Sequence, residues 1–244
     1  MNILGIIPAR FASTRFPGKP LVDIGGKTMI ERVFMQAKKA SSLHDVIVAT
    51  DDDRIFAHVL SFGGNVIRTA STHQSGTDRC AEVAAAMPGF DAVINIQGDE
   101  PFIDPEQINQ VAGCFSSSRT QIATLAKKIT DEEQLFSPNT VKVVFGHKNQ
   151  ALYFSRSVIP FLRGEDQRNW GEKGLFYKHI GLYGYKTDIL AELTRLPVSA
   201  LERTESLEQL RWLENGYAIY VAETDRETPA VDTPADLEKL KALL

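Results

Sequence analysis

The opening 115 residues alternate short β-branched runs with segments of helical period, and this alternation most restricts the possible folds. Apolar runs fall at residues 3–7, 46–50, 65–68 and 92–97; between and after them lie helical patterns at 28–40, 52–62, 77–87 and 105–115. In 28–40 the apolar residues Met29, Ile30, Val33, Phe34 and Ala37 recur at the spacing of one helix face. A β-α-β-α rhythm predicts a mostly parallel sheet with helices on both faces, a doubly wound three-layer α/β architecture. After about residue 120 the rhythm changes. Strand-like runs at 122–129, 141–145, 151–155 and 180–186 follow without long helices between them. A helix is expected at 204–215 closed by Gly216, a strand at 217–222, and a last helix from Pro234. The polar segment 160–176 reads as a surface loop. The expectation is one α/β domain over residues 1–244, carrying a β-rich insertion at roughly 120–186.

The apolar run at 3–7 leads into PARFASTRFPGK at 8–19, which holds Arg10, Arg15 and Lys19 with no acidic residue among them. The chain as a whole carries a net charge of −4, so it lacks the electrostatic footprint of a nucleic-acid binder. The cations therefore serve something local. A loop leaving the C-terminal end of a parallel strand is where such sheets bind ligands. Backbone N–H groups there favour anions, and Arg and Lys add fixed charge suited to phosphate oxygens. The blander alternative is a solvated loop whose cations pair with acids elsewhere. Gly26-Lys27-Thr28 imitates the end of a P-loop, but Leu21 stands where that motif needs glycine. Thr28 reads instead as a helix cap. Cys80 and Cys114 form no disulfide framework, which favours a reducing, cytoplasmic setting. No run reaches 18 apolar residues, so no membrane span or secretory signal is expected.

Seven motifs in order carry a resemblance. PARFASTRFPGK, HQSGTDR at 73–79, NIQGDEP at 95–101, YFSRS at 153–157, HIGLYGY at 179–185, LEQLRWLENG at 207–216 and VDTPADL at 231–237 together resemble the 3-deoxy-manno-octulosonate cytidylyltransferases. Phe16, Asp78 and Cys80 stand where that family often has Leu, Glu and Leu. The resemblance implies a nucleotide-diphospho-sugar transferase-like fold. It also implies Mg²⁺-dependent transfer from CTP to the sugar acid Kdo, giving CMP-Kdo and pyrophosphate for lipopolysaccharide biosynthesis, by a cytoplasmic homodimer.

Carried over by position, the resemblance implies that Arg10, Arg15 and Lys19 hold the triphosphate, with Ser75, Gly76, Arg79 and Gln97 as further nucleotide contacts. Asp99 and Asp232 would share the Mg²⁺, and Arg10, Lys19, Asp99 and Asp232 form the expected catalytic set. Gln97, Arg156, His179, Tyr183, Glu208 and Gln209 are the expected sugar contacts, with Arg156 on the Kdo carboxylate. The residues alone leave plainer readings open. Asp99 suits a turn, Thr233-Pro234-Ala235-Asp236 a capped helix start, and Glu208-Gln209 a solvated helix side. Glu100 is read as structural, because neighbours in an extended chain point opposite ways. Rival functions are the same chemistry on 8-amino-Kdo or a sialic acid, a metal-dependent glycosyltransferase using Asp51-Asp52-Asp53, and a nucleotide sensor without turnover. The three acids read better as a helix start, where they suit the positive dipole end.

Overall fold

The computed structural model describes residues 1–12 and 16–241. Arg15 lies outside them. The elements run β1 (Ile3–Ala9), α1 (Met29–Ala37), β2 (Asp45–Thr50), α2 (Asp53–Ser61), β3 (Val66–Arg68), α3 (Gly76–Ala86), β4 (Ala92–Asn95) and α4 (Pro105–Gly113). They continue β5 (Ile122–Lys128), α5 (Glu132–Phe136), β6 (Lys142–Phe145), β7 (Ala151–Ser155), α6 (Trp170–Lys173), β8 (Tyr177–Lys186), α7 (Thr187–Leu193), α8 (Ala200–Glu205), α9 (Gln209–Glu214), β9 (Ile219–Glu223) and α10 (Pro234–Lys241). The chain divides into two compact units. One comprises Met1–Gly113, Gly184–Thr194 and Thr228–Leu244; the other comprises Cys114–Tyr183 and Arg195–Glu227.

In the first unit the strand order is β3-β2-β1-β4, all parallel. The chain winds outward through β1, β2 and β3, then returns to place β4 on the other side of β1. Right-handed crossovers in opposite directions put their helices on opposite faces. Accordingly α1 packs against α4, and α3 against α7. The gap between β1 and β4 is the switch point at which open α/β sheets bind ligands. β1, β2 and β4 are buried almost throughout, as a sheet covered on both faces requires, and the edge strand β3 is partly exposed.

The second unit pairs β5 with β9 in parallel and β6 with β7 antiparallel, with β8 also joining β6. The segment expected as a polar loop, 160–176, is more than that. Trp170 and Phe176 are buried with Ile129 and Leu135, and α6 forms around Trp170. The helix expected over 204–215 is broken in two. Ser199 and Glu202 form a capping box that starts α8 early, and Ser206 then turns left-handed with φ 53°. The apolar spacing of Leu207, Leu210 and Leu213 runs past that break. In α9 the side chain buried near its end is Trp212 rather than Leu213. Two short helices, α5 and α7, fall in stretches where no helix is expected from the sequence.

Candidate active site

Five chain segments of the first unit meet at the switch point around a cleft of about 260 Å³. The end of β1 and the residue after it deliver Pro8, Ala9 and Arg10. The stretch after β4 delivers Gln97, Gly98 and Asp99. The start of α3 delivers His73, Gln74, Ser75, Gly76 and Arg79, and the segments on either side of the core add Lys19 and Asp232. Of the nucleotide and metal residues expected from the sequence, Arg10, Lys19, Ser75, Gly76, Arg79, Gln97, Asp99 and Asp232 all line this one cleft.

Lys19 is the centre of its charge. Its Nζ donates to Asp99 Oδ2 at 2.9 Å and to the Val231 carbonyl at 3.0 Å, and lies 3.7 Å from Asp232 Oδ1. Local structure explains how residues so distant in sequence converge. Val231 is buried with Ile24, Met29, Leu237 and Leu240, and Phe16, Val22 and Phe102 pack on that cluster. The apolar contacts pull the lead-in of α10 against the segment that follows Lys19. The Val231 N–H then donates to the Asp99 carbonyl at 2.9 Å, fastening one acid's backbone beside the other's. Asp232 itself sits just ahead of a helix cap. Asp236 Oδ2 accepts from the backbone N–H of Asp232 and Thr233 and from the Thr233 hydroxyl, while Thr233 Oγ1 accepts from the Asp236 N–H. The Thr233 hydroxyl, ahead of the backbone donors, holds the Asp236 carboxyl below its usual range. The cap expected from the sequence is therefore real, and it aims its preceding residue at Lys19. Gly98 has a steric role: a Cβ there would stand 2.9 Å from the Pro8 carbonyl, so only glycine lets the Asp99 turn lie against the end of β1. Glu100 accepts from the Thr228 hydroxyl at 2.9 Å, in keeping with a structural part.

The acids 51–53 are occupied by arginines. Asp51 faces Arg79, Asp52 pairs with Arg54 and caps α2, and Asp53 pairs with Arg68. Arg54 foremost, with backbone N–H groups of the first turn adding to it, holds the Asp52 carboxyl low against the cost of burial. This triplet is a helix start and a set of ion pairs, and among the described residues no cluster of three or more metal-ligating side chains is found. It also serves the cleft. Asp51 and the Thr69 hydroxyl fix the buried Arg79 guanidinium. Arg54 lies over the Phe11 ring at 3.3 Å, and Phe11 accepts a hydrogen bond from Gly18, closing the described ends of the cationic loop on each other. His73 is a cleft residue that the sequence reading passed over, though it heads the HQSGTDR motif. Its ring bonds Glu82, which also accepts from the Ala70 N–H. The Ala70 bond and then His73 hold that carboxyl below its usual range.

The expected sugar contacts Arg156, His179, Tyr183, Glu208 and Gln209 belong to the second unit. His179 and Tyr183 share a face of β8, as strand alternation predicts; their rings lie 5.2 Å apart, and His179 Nε2 meets Thr124 Oγ1 at 3.0 Å. Loss of water contact pushes the His179 ring down to about 3, so it is a neutral imidazole at physiological pH. Burial, reinforced by Glu208, raises the Tyr183 phenol, which stays protonated. Gln209 is buried at the start of α9 rather than lying on a solvated face. Arg156 spends three donors on the carbonyls of Glu205, Pro138 and Ser206.

Comparison with known proteins settles the family. A cytidylyltransferase family model matches residues 4–224. A 3-deoxy-manno-octulosonate cytidylyltransferase from Parabacteroides distasonis is 55% identical over 249 residues, covering 100% of this chain and 98% of the relative. One from Cytophaga hutchinsonii is 56% identical, covering 97% and 95%. The chain belongs to the 3-deoxy-manno-octulosonate cytidylyltransferase family. A solved CMP:2-keto-3-deoxy-manno-octonic acid synthetase complexed with CTP superposes with a TM-score of 0.92 at 43% identity, covering 100% of this chain and 98% of that one. A cytidylyltransferase from Leptospira borgpetersenii shares the fold at 17% identity and a TM-score of 0.65. The α/β architecture read from the sequence is thus the fold of the family. Among the described residues no helix is long and apolar enough to cross a membrane.

Proposed function

We propose that the chain transfers the cytidylyl group of CTP to Kdo, releasing pyrophosphate and supplying CMP-Kdo for lipopolysaccharide biosynthesis. One observation carries the reading: Asp99 and Asp232 flank a single cationic centre in the cleft at the sheet's switch point, beside Arg10 and the first turn of α3. The anomeric hydroxyl of Kdo attacks the α-phosphorus in line, and pyrophosphate leaves opposite. Arg10 and Lys19 donate to the phosphate tail and neutralise charge as it builds on the leaving group. Arg15 belongs to the same loop and is assigned the same task. Ser75 and Gly76 offer a close backbone approach to the nucleotide, Arg79 a fixed guanidinium and Gln97 an amide.

The two carboxylates fit Mg²⁺. They already accept a cation, the chain's own ammonium, and Mg²⁺ takes one or two carboxylates beside substrate oxygens and water. When bound there, the ion supplies Lewis-acid stabilisation of phosphoryl charge and eases deprotonation of the attacking hydroxyl. On the sugar side, neutral His179 and protonated Tyr183 present hydrogen bonds to hydroxyls, as do Glu208 and Gln209. Two N–H groups of the Arg156 guanidinium remain after its three carbonyl bonds, enough for a bidentate grip on the Kdo carboxylate.

The chain is further proposed to act as a cytoplasmic homodimer. The second unit exposes Phe136 and Phe161 on either side of buried Trp170, a surface suited to a second copy. Sedimentation at micromolar concentration should give twice the chain mass, and a monomer would refute the assembly. The activity is tested by pyrophosphate release with each of the four nucleoside triphosphates against a panel of sugar acids. Release confined to CTP with Kdo supports the reading. A preference for 8-amino-Kdo or a sialic acid would move the substrate, and CTP binding without turnover would make the chain a sensor.

A further inference from the structure

The Lys19 ammonium lies against the two carboxylates to which the proposed Mg²⁺ is assigned. It touches one carboxylate at 2.9 Å, approaches the second to 3.7 Å, and takes the neighbouring Val231 carbonyl at 3.0 Å. Its side chain is only 16% exposed, so it is packed into the cleft rather than waving above it. A divalent cation and this ammonium cannot both lie against Asp99 and Asp232 without strong repulsion. A nucleoside triphosphate offers Lys19 a more highly charged partner on the same cleft wall, beside Arg10.

We propose that Lys19 is a built-in competitor for the metal seat: its ammonium holds the Asp99–Asp232 pair and yields it when a triphosphate draws the lysine away. The inference rests on the function proposed above and adds to it a coupling between nucleotide and metal. Without nucleotide the carboxylates are neutralised from within, which keeps two acids close together at low cost and keeps a stray divalent ion out. With nucleotide the ammonium moves from carboxylate to phosphate, and one charge shift opens the seat. A lysine suits this exchange better than an arginine, because it is a compact point charge on a flexible stem with no fixed fork geometry to break.

The test is Mn²⁺ binding to the full chain in the absence of nucleotide, followed by the loss of the free-ion electron paramagnetic resonance signal. Lys19→Met removes the charge and keeps much of the stem. It should bind Mn²⁺ about tenfold or more tightly than the wild type, and Lys19→Gln should change in the same direction. The double variant Lys19→Met/Asp99→Asn should lose the gain. A second readout guards against a folding defect: Mg²⁺ alone should raise the melting temperature of Lys19→Met by more than that of the wild type. Equal Mn²⁺ affinity in wild type and both Lys19 variants overturns the competition. A gain that survives Asp99→Asn overturns it as well, by placing the ion elsewhere. Neither result bears on transfer itself, because absence of wild-type turnover with CTP and Kdo is the separate outcome that would remove the underlying function.

Discussion

Two lysines each hold three oxygens, and they do opposite things. Lys19, in the first unit, faces two carboxylates and one carbonyl at the edge of a cleft. Lys142, in the second, is wholly buried and donates to the carbonyls of Ser137 at 2.9 Å, Thr140 at 2.7 Å and Arg156 at 2.6 Å. Burial, offset in part by Glu205, lowers the Lys142 ammonium from its usual 10.5. Carbonyls of the backbone cannot leave, so Lys142 is a strut tying β6 to the loop before it and to the end of β7. Two of the three partners of Lys19 are side-chain carboxylates that can accept another cation. The difference teaches that an ion's neighbours, more than its residue type, separate a working group from a structural one.

The largest expected contrast comes from removing each amine. Lys19→Ala should lower kcat/KM by about 10²–10³-fold, the scale for a group that stabilises developing oxyanion charge, while denaturant unfolding changes by no more than about 1 kcal/mol. Lys142→Met should do the reverse. Leaving buried carbonyls without a donor should cost about 2–4 kcal/mol in chemical denaturation, with turnover per folded molecule near wild type. If Lys19→Ala unfolds the chain and Lys142→Met silences it, the contrast is wrong.

A smaller effect concerns pH. A Lys142 amine with a lowered folded value binds protons less readily folded than unfolded, so its stability contribution grows as pH rises toward 10.5. The same sign governs His179, whose folded value is about 3 against the usual 6.5. The unfolded chain takes up that proton first, so stability should fall as pH drops from 6.5 toward 3. His179→Phe should flatten this acid limb in urea titrations at successive pH values, and an unchanged slope would show the imidazole to be freely protonated.

The smallest effect lies at the loop. Arg54→Ala removes the guanidinium over Phe11, an exposed contact worth about 0.5–1 kcal/mol. It should raise the KM for CTP a few-fold and leave kcat unchanged. An equal loss in kcat would make Arg54 part of the chemistry rather than a brace.

The first unit was largely legible because its first three helices start at visible caps. Thr28, Asp52 and Ser75 each accept from the first turn of the helix they precede, and each buried strand is a β-branched run. The second unit was less so. Its helices are short, α8 and α9 are separated by a left-handed serine that an apolar repeat runs straight across, and Trp170 hides its burial among polar neighbours. Nor could spacing reveal that Asp232 meets Lys19. That encounter depends on Val231 entering the core with Ile24 and Met29, a tertiary event with no local signature. The pairing of Asp51 with Arg79 was hidden for the same reason.

The most direct measurement is pyrophosphate release from CTP and Kdo by Asp99→Asn and Asp232→Asn, each checked for an unchanged melting profile. Both substitutions keep the side-chain shape and remove one charge beside Lys19. Turnover should collapse by about 10³-fold in each. Near-wild-type release from either folded variant would contradict a shared role for the two acids.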